Sequence, residues 1–414
     1  MEYKNVYRPA RVISYDKESG ELVLHNYMDF DDLKDYVKIS YELTQDGLVI
    51  SKGKLPEVSA APHSEGKINL KINVPESGKC YLKFIYHLKK ELPLLDEDHI
   101  LGFDEIEVSK DGAKCKLAEK WLQKTAVDSE LQVNENDTQI HIKGREFAYT
   151  IDKRTALFTE MKFAGREYLN HPMELNIWRA PTDNDMYIKS EWKKAHYDKA
   201  YTRAYTTEVV QGKHGVKITS HASVVAETVQ KILDVTITWK IEAAGKIDAD
   251  IEVTKDDEFP DLPRFGVRMF LDKKLSAARY FGMGPQESYC DKHQAASHGL
   301  YQANVDDLHE DYIRPQENGS HYDCEYVELN NSRYGIVVSA ENAFSFNASY
   351  YTQEELEEKT HNYELTESDS VVFCVDYALN GIGSNSCGPV VLEQYRFDDV
   401  LFRFQFTLIP YIKG

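Results

Sequence analysis

The string LFRFQFTLIP, residues 401–410, puts Phe402, Phe404, Phe406 and Leu408 at every second position. A period of two marks a strand with one buried face, because successive side chains of an extended chain point to opposite sides. The same rhythm extends outward from this stretch. Val235, Ile237, Trp239 and Ile241 alternate, and after a turn at Ala244-Gly245 so do Ile247, Ala249, Ile251 and Val253. Nearer the start, Val37, Ile39, Tyr41 and Leu43 lead through Gln45-Asp46-Gly47 into Leu48, Val49 and Ile50. Val12, Ile13 and Tyr15 lead through a polar turn at 16–20 into Leu22, Val23 and Leu24. These patterns predict hairpins and an all-β protein, and the 27 Tyr and 17 Phe agree, since pleated surfaces accept aromatic side chains well.

Residues 1–118 read as six or seven short strands, the pattern of an immunoglobulin-like β-sandwich, although no Cys-Trp-Cys core marks an antibody-type domain. The boundary is expected within 117–128, where Lys120, Trp121, Leu122 and Lys124 show no clear periodicity. Residues 119–414 carry longer strands without an evident linker and predict one large double-layered β domain. Two helices are expected as excursions from the sheets. One lies within 185–201, where Trp192, Ala195 and His196 suit one helical face. The other follows a capping box, Thr352-x-x-Glu355, before Leu356.

The 414 residues include 49 Lys and Arg against 69 Asp and Glu, a net charge of -20 that disfavours nucleic acid and anionic membranes as partners. Residues 1–10 lack the apolar core of a signal peptide, and no window approaches the ~18 apolar residues of a membrane span. The six cysteines include no CxxC pair, so the expectation is a cytoplasmic protein with reduced thiols. No GxGxxG, GxxxxGK[ST] or HExxH string points to a cofactor.

Four strings carry possible chemistry. NIWRAPTDND, residues 176–185, sets Arg179 close to Asp183, Asn184 and Asp185. Such oxygens suit a sugar hydroxyl site or a calcium-like cluster; the favoured reading is a buried Arg179 satisfied by Asp183 or Asp185, locking a long loop. Pro285-Gln286-Glu287 and Pro315-Gln316-Glu317 each place a Glu after a turn, with His293, His298 and His321 nearby and Asn318 following Glu317. Two carboxyl groups invite a glycosidase or epimerase reading; the plainer one has each Glu accepting hydrogen bonds from turn N–H groups. Zinc at Cys290-x-x-His293 would need two more ligands and is not expected. LNGIGSNSCGP, residues 379–389, is rich in Gly, Asn and Ser, which suits a mobile loop serving either as ligand contact or as connector.

Together these strings resemble the C-terminal part of bacterial β-galactosidases of glycoside hydrolase family 2. NIWRAPTDND resembles that family's RAP-x-DND signature, RYFGMGPQESYCDK its GLGPQENYPDR string, and YIRPQENGSHYD its PxENG motif. SFNASYYTQEELEEKTH is similar to its FNxSxYSxxxLxxxxH stretch, and LNGIGSNSCGP to its GIGxxSxxP loop. At the start, KNVYRP, residues 4–9, resembles the KxVYQP segment with which the family leaves its catalytic barrel.

The resemblance implies that 1–118 is the family's fourth domain, an immunoglobulin-like β-sandwich, and 119–414 its fifth, a large antiparallel β super-sandwich related in fold to galactose mutarotases. It also implies that the catalytic glutamates sit on a barrel absent from this chain. The chain itself would be non-catalytic, with no cofactor and no metal of its own, any Mg and Na of the complete enzyme being held on that barrel. Its partners would be the barrel domains or a large subunit, plus further copies of itself, and β-galactoside would bind only in the complete enzyme. Ser384, Asn385, Ser386 and Cys387 would stand at the substrate rim, Cys387 taking a place where a stacking Trp occurs in the best-studied type. Arg179, Asp183, Asn184, Asp185, Glu287, His293, Glu317 and Asn318 belong to the shared motifs without an assigned role. The alternative is a stand-alone aldose epimerase, with Glu287 or Glu317 as base and His293 as acid, or a carbohydrate-binding module on the super-sandwich.

Overall fold

The computed structural model describes residues 2–122, 131–228 and 231–413. It divides into two compact units. The first comprises Met1–Leu117 with Met283–Pro285 and His293–Tyr301; the second comprises Ala118–Gly282, Gln286–Lys292 and Gln302–Gly414.

The first unit has seven antiparallel strands, β1 Ala10–Tyr15, β2 Glu21–Asn26, β3 Val37–Gln45, β4 Leu48–Lys54, β5 Glu65–Asn69, β6 Cys80–Leu88 and β7 Ile100–Glu107. They form two sheets, ordered β1-β2-β5 and β4-β3-β6-β7. Leu22 and Leu24 from one sheet and Leu43, Leu82 and Phe84 from the other share one buried core, as a sandwich requires. The β3–β4 hairpin turns on Asp46 (φ 51°) and Gly47 (φ 79°), the paired positive values of a two-residue loop that matches strand twist. A Cβ at Gly47 would stand 2.1 Å from the Leu300 backbone nitrogen, so the position excludes side chains on two grounds. The KNVYRP string is docked by charge. Arg8 donates to Asp104 at 2.6 and 2.9 Å, and the other Asp104 oxygen accepts from the Val12 N–H and the Tyr86 hydroxyl.

The second unit is the double-layered β structure expected from the alternation. Its longer sheet runs Leu169–Asn176, Arg264–Asp272, Ser370–Leu379, Tyr334–Ser349, Leu401–Ile412, Ile247–Lys255, Leu233–Glu242, Gly215–Val225 and Tyr201–Gln211. The three segments with the clearest period of two are neighbours in register: Trp239 pairs with Ala249, and Ala249 with Phe406. A five-stranded sheet of residues 132–167 covers this face. The Trp239 indole donates to Ala156 O at 2.8 Å with its ring against Phe158, and the Tyr149 hydroxyl donates to Gly245 O at 2.7 Å.

The helix expected after Thr352 forms as Gln353–Glu358, while the other helices depart from expectation. The single helix expected within 185–201 is three short pieces, Asp183–Asp185, Ile188–Lys194 and Tyr197–Lys199. His196 adopts a left-handed backbone (φ 58°), which stops the α-helix, and Tyr201 already starts a strand. Lys116–Leu122, read as aperiodic, is helical; residues 123–128 of the expected boundary lie outside the described residues. Only half of the capping box forms. Thr352 accepts the Glu355 N–H at 3.1 Å, while the Glu355 carboxylate accepts from the Thr366 N–H.

Candidate functional site

The loop that follows strand Ser370–Leu379 is fixed at its base by side chains from two distant strings. Arg179 is fully buried and forms a forked pair with Asp185 at 2.7 and 3.1 Å. Its remaining donors reach Asn380 O at 2.5 Å and Gly381 O at 3.2 Å. The Asn184 side chain donates to Ile382 O at 2.6 Å, and Asp185 also accepts the Thr182 N–H, which closes the local turn. From the other flank the Asp291 carboxylate accepts the N–H groups of Ile382 and Gly383 at 3.0 and 2.7 Å. Glycine at 381 follows from this approach: a Cβ there would stand 2.6 Å from the Asp291 carboxylate. Asn380 extends the clamp, its side-chain oxygen accepting the Phe397 N–H at 2.9 Å.

Beyond this base the loop emerges. Ser384, Asn385 and Ser386 are half-buried and Cys387 is exposed, with Asn385 in a positive-φ conformation (φ 93°) that Asn tolerates better than most residues. A clamped base carrying an exposed polar tip can present hydroxyl, amide and thiol groups to a ligand at a reproducible position. The Gly/Asn/Ser composition suggested mobility for the whole loop; backbone ties at 380–383 confine that freedom to the tip.

The PQE strings serve largely as supports. Glu317 is 4% exposed and accepts from Arg264 at 3.2 Å, while Arg264 grips Asp376 through two hydrogen bonds of 2.5 and 3.1 Å. Burial pushes the Glu317 carboxyl above the usual carboxylate range, with the Arg264 and Arg179 charges opposing it. Burial also works against the Arg264 charge, but Asp376 and Glu317 outweigh it and hold the guanidinium protonated. The Glu317 N–H donates to Ala180 O at 3.0 Å, and Gln316 pairs with Asp183. The second string, Pro315-Gln316-Glu317, therefore braces the RAPTDND turn. Glu287 uses both oxygens: one accepts from Lys292 and the Tyr312 hydroxyl, the other from the Gly319 N–H at 2.8 Å. Asn318 closes its own turn with bonds to Glu310 N and Gln316 O.

The structure thus gathers Arg179, Asp183, Asn184, Asp185, Gln316 and Glu317 about the foot of the loop. His293 falls in a segment that belongs to the first compact unit. Of the two carboxylates offered for Arg179, Asp185 takes the guanidinium and Asp183 turns to Gln316. Sequence reasoning missed Asp291, Arg264 and Asp376, which lie in strands or turns with no local signature. Asp291 did sit inside a quoted string, RYFGMGPQESYCDK. Among the described residues no group of three His, Cys, Asp or Glu side chains could hold a metal ion.

Residues 143–408 match the family described as Beta galactosidase small chain. The chain belongs to this family. Residues 22–109 match a second family, described as Beta-galactosidase, domain 4. A β-galactosidase from Actinobacillus pleuropneumoniae is 42% identical over 411 residues, which are 99% of this chain and 39% of that protein. One from Staphylococcus xylosus is 31% identical over 98% of this chain and 40% of its own length, and one from Kluyveromyces lactis 26% identical over 99% and 38%. The chain thus spans about two-fifths of the length of these curated relatives. Among solved structures, a galactose 1-epimerase from Lactobacillus acidophilus aligns at a TM-score of 0.37 and 8% identity, covering 70% of this chain and all of that one. An aldose epimerase homologue from C. elegans aligns at 0.31 and 8%, covering 69% and 99%. Within the described residues no helix of this family member is long and apolar enough to cross a membrane.

Proposed function

We propose that the chain is the non-catalytic C-terminal portion of a β-galactosidase, which supplies scaffold and carries a rim loop to the mouth of a sugar site held elsewhere in the complete enzyme. The reaction of that enzyme is retaining hydrolysis of terminal β-D-galactosides, which needs two carboxyl groups ~5 Å apart, one as acid/base and one as nucleophile. The loop glutamates of this chain are committed elsewhere, Glu317 to Arg264 in a buried cluster and Glu287 to Lys292, which supports placing the hydrolytic pair in a segment outside these 414 residues. Barrel domains or a large subunit are the partners, the location is cytoplasmic, copies of the chain associate with one another, and any Mg or Na of the complete enzyme is held outside this chain.

The observation that carries this reading is the loop itself. Its base at 380–383 is clamped by Arg179, Asn184 and Asp291, while Ser384, Asn385, Ser386 and Cys387 project from it. A Cys at the tip lacks the broad apolar face that stacks on a sugar, so contact with the leaving-group sugar rests on hydrogen bonds from Ser384, Asn385 and Ser386.

Replacing 384–387 by four glycines in the full-length Actinobacillus relative's framework tests the role. The expected result is a KM for lactose raised about tenfold, the loss of one or two hydrogen bonds, with little change for an aryl galactoside. Unchanged lactose kinetics would remove the rim function.

A further inference from the structure

At the foot of the loop, beside Leu379 and Tyr395, the second unit contains a cleft of about 330 Å³. That lies near the lower end of the ~300–1,000 Å³ range of small-molecule sites and suits one sugar ring rather than a chain of them. Its walls are aromatic, including Tyr322, Tyr377, Tyr395 and Phe397, and Asp323 and Asp399 add carboxylates.

The walls are pre-built. Tyr377 stacks on Phe402 with ring centres 4.9 Å apart and leans on Phe397 at 5.8 Å. Phe397 is 2% exposed and its backbone N–H is tied to Asn380 at 2.9 Å. Tyr395 O accepts the Gly381 N–H at 2.8 Å, which holds that segment against the loop base. Burial pushes the Tyr322 hydroxyl up to about 12, so it remains a neutral donor at physiological pH.

The ligand class follows from these groups. Tyrosine rings offer flat apolar faces to the C–H side of a pyranose, and their hydroxyls, with two carboxylates, meet its hydroxyl groups. The lining also holds Arg396, whose Nε–H is given to Val391 O at 3.0 Å; two carboxylates to one guanidinium, in a chain of net charge -20, favour a neutral ligand over phosphorylated sugars and nucleotides.

We propose that this cleft is a second, non-catalytic sugar-binding site that takes a single neutral hexopyranose. It does not depend on the rim-loop reading, since the lining residues are outside the loop tip.

The test titrates the 414-residue chain with methyl β-D-galactopyranoside and methyl β-D-glucopyranoside by saturation-transfer NMR, with galactose 1-phosphate as the anionic control. Saturable binding of at least one neutral glycoside with a Kd of about 1–10 mM is expected, and none of the phosphate. Asp399→Asn should weaken binding about tenfold, and Ala343→Trp, an exposed cleft residue, should abolish it, while Cys387→Ala leaves it unchanged. Absence of saturation up to about 100 mM, or wild-type affinity in Ala343→Trp and Asp399→Asn variants that keep their near-UV circular dichroism, overturns the proposal.

Discussion

Replacing Asp291 by Ala removes the carboxylate that accepts both the Ile382 and Gly383 amides, yet leaves the Arg179 side of the clamp intact. The loop base should then loosen without unfolding the sheet, at a cost of about 1–3 kcal/mol for two orphaned amides, and backbone exchange at 382–383 measured by hydrogen exchange should rise. Asp185→Ala should cost more, about 3–5 kcal/mol, because it strands a fully buried guanidinium. Denaturant unfolding of the two variants orders these effects. Arg179 and Asp185 could be paired from spacing alone; Asp291 could not, because an aspartate two residues after a tyrosine carries no local sign of reaching a loop 91 positions away. Thiol chemistry separates two further residues. Cys290 lies between Leu379 O and Tyr395 O, and burial pushes its thiol up to about 12, whereas Cys387 stands exposed at the loop tip. Iodoacetamide at pH 8 should therefore alkylate Cys387 well before Cys290, as peptide mass mapping would show; the reverse order would contradict the loop geometry.

Strands were legible because their period of two survives in single segments. The 235–253 hairpin and the 401–410 strand pair directly, with Trp239 buried among Ala156, Phe158 and Phe406. Trp239→Ala should destabilise the second unit by about 3–5 kcal/mol, read from the denaturation midpoint. Gly47→Ala is expected to cost the first unit about 1–3 kcal/mol, since it combines a positive φ with a backbone clash. Short helices were legible only where a cap announced them, as Thr352 did for Gln353–Glu358. Lys116–Leu122 buries only Ala118 along its length, too little to print a 3.6-residue rhythm, and the 185–201 pattern was broken by the left-handed backbone of His196. On the outer face, Arg403 grips Asp250 at 2.7 Å through two hydrogen bonds and holds its carboxyl below the ordinary 3.8. A depressed native pKa gives stability that is present above the unfolded value and is lost as pH falls through the native one. Asp250→Asn should accordingly lower stability by about 0.5–1 kcal/mol at pH 7 and have no effect at pH 2, a half-exposed pair being screened by solvent. Equal destabilisation at both values would assign the loss to packing instead.

At the scale of the whole molecule, fold class and family were both readable, the first from alternation and the second from five strings in a fixed order. What those strings do was not readable, because their contacts run between positions up to 202 residues apart, as from Arg179 to Gly381. In the structure, side chains from three of them meet around one loop: Arg179 and Asn184 bond the backbone at 380–382, Asp291 bonds that at 382–383, and Gln316 pairs with Asp183. Self-association is expected too: Leu48, Val49 and Ile50 are exposed along the edge strand β4, and light scattering should give a mass above the 47.6 kDa of one chain. The central claim is that hydrolysis needs acidic groups outside this chain. Its most direct test is the rate at which the purified 414-residue chain releases nitrophenol from a nitrophenyl β-D-galactoside. The account predicts the buffer rate and no more; turnover that scales with protein concentration and disappears in a Glu287→Gln or Glu317→Gln variant would contradict it.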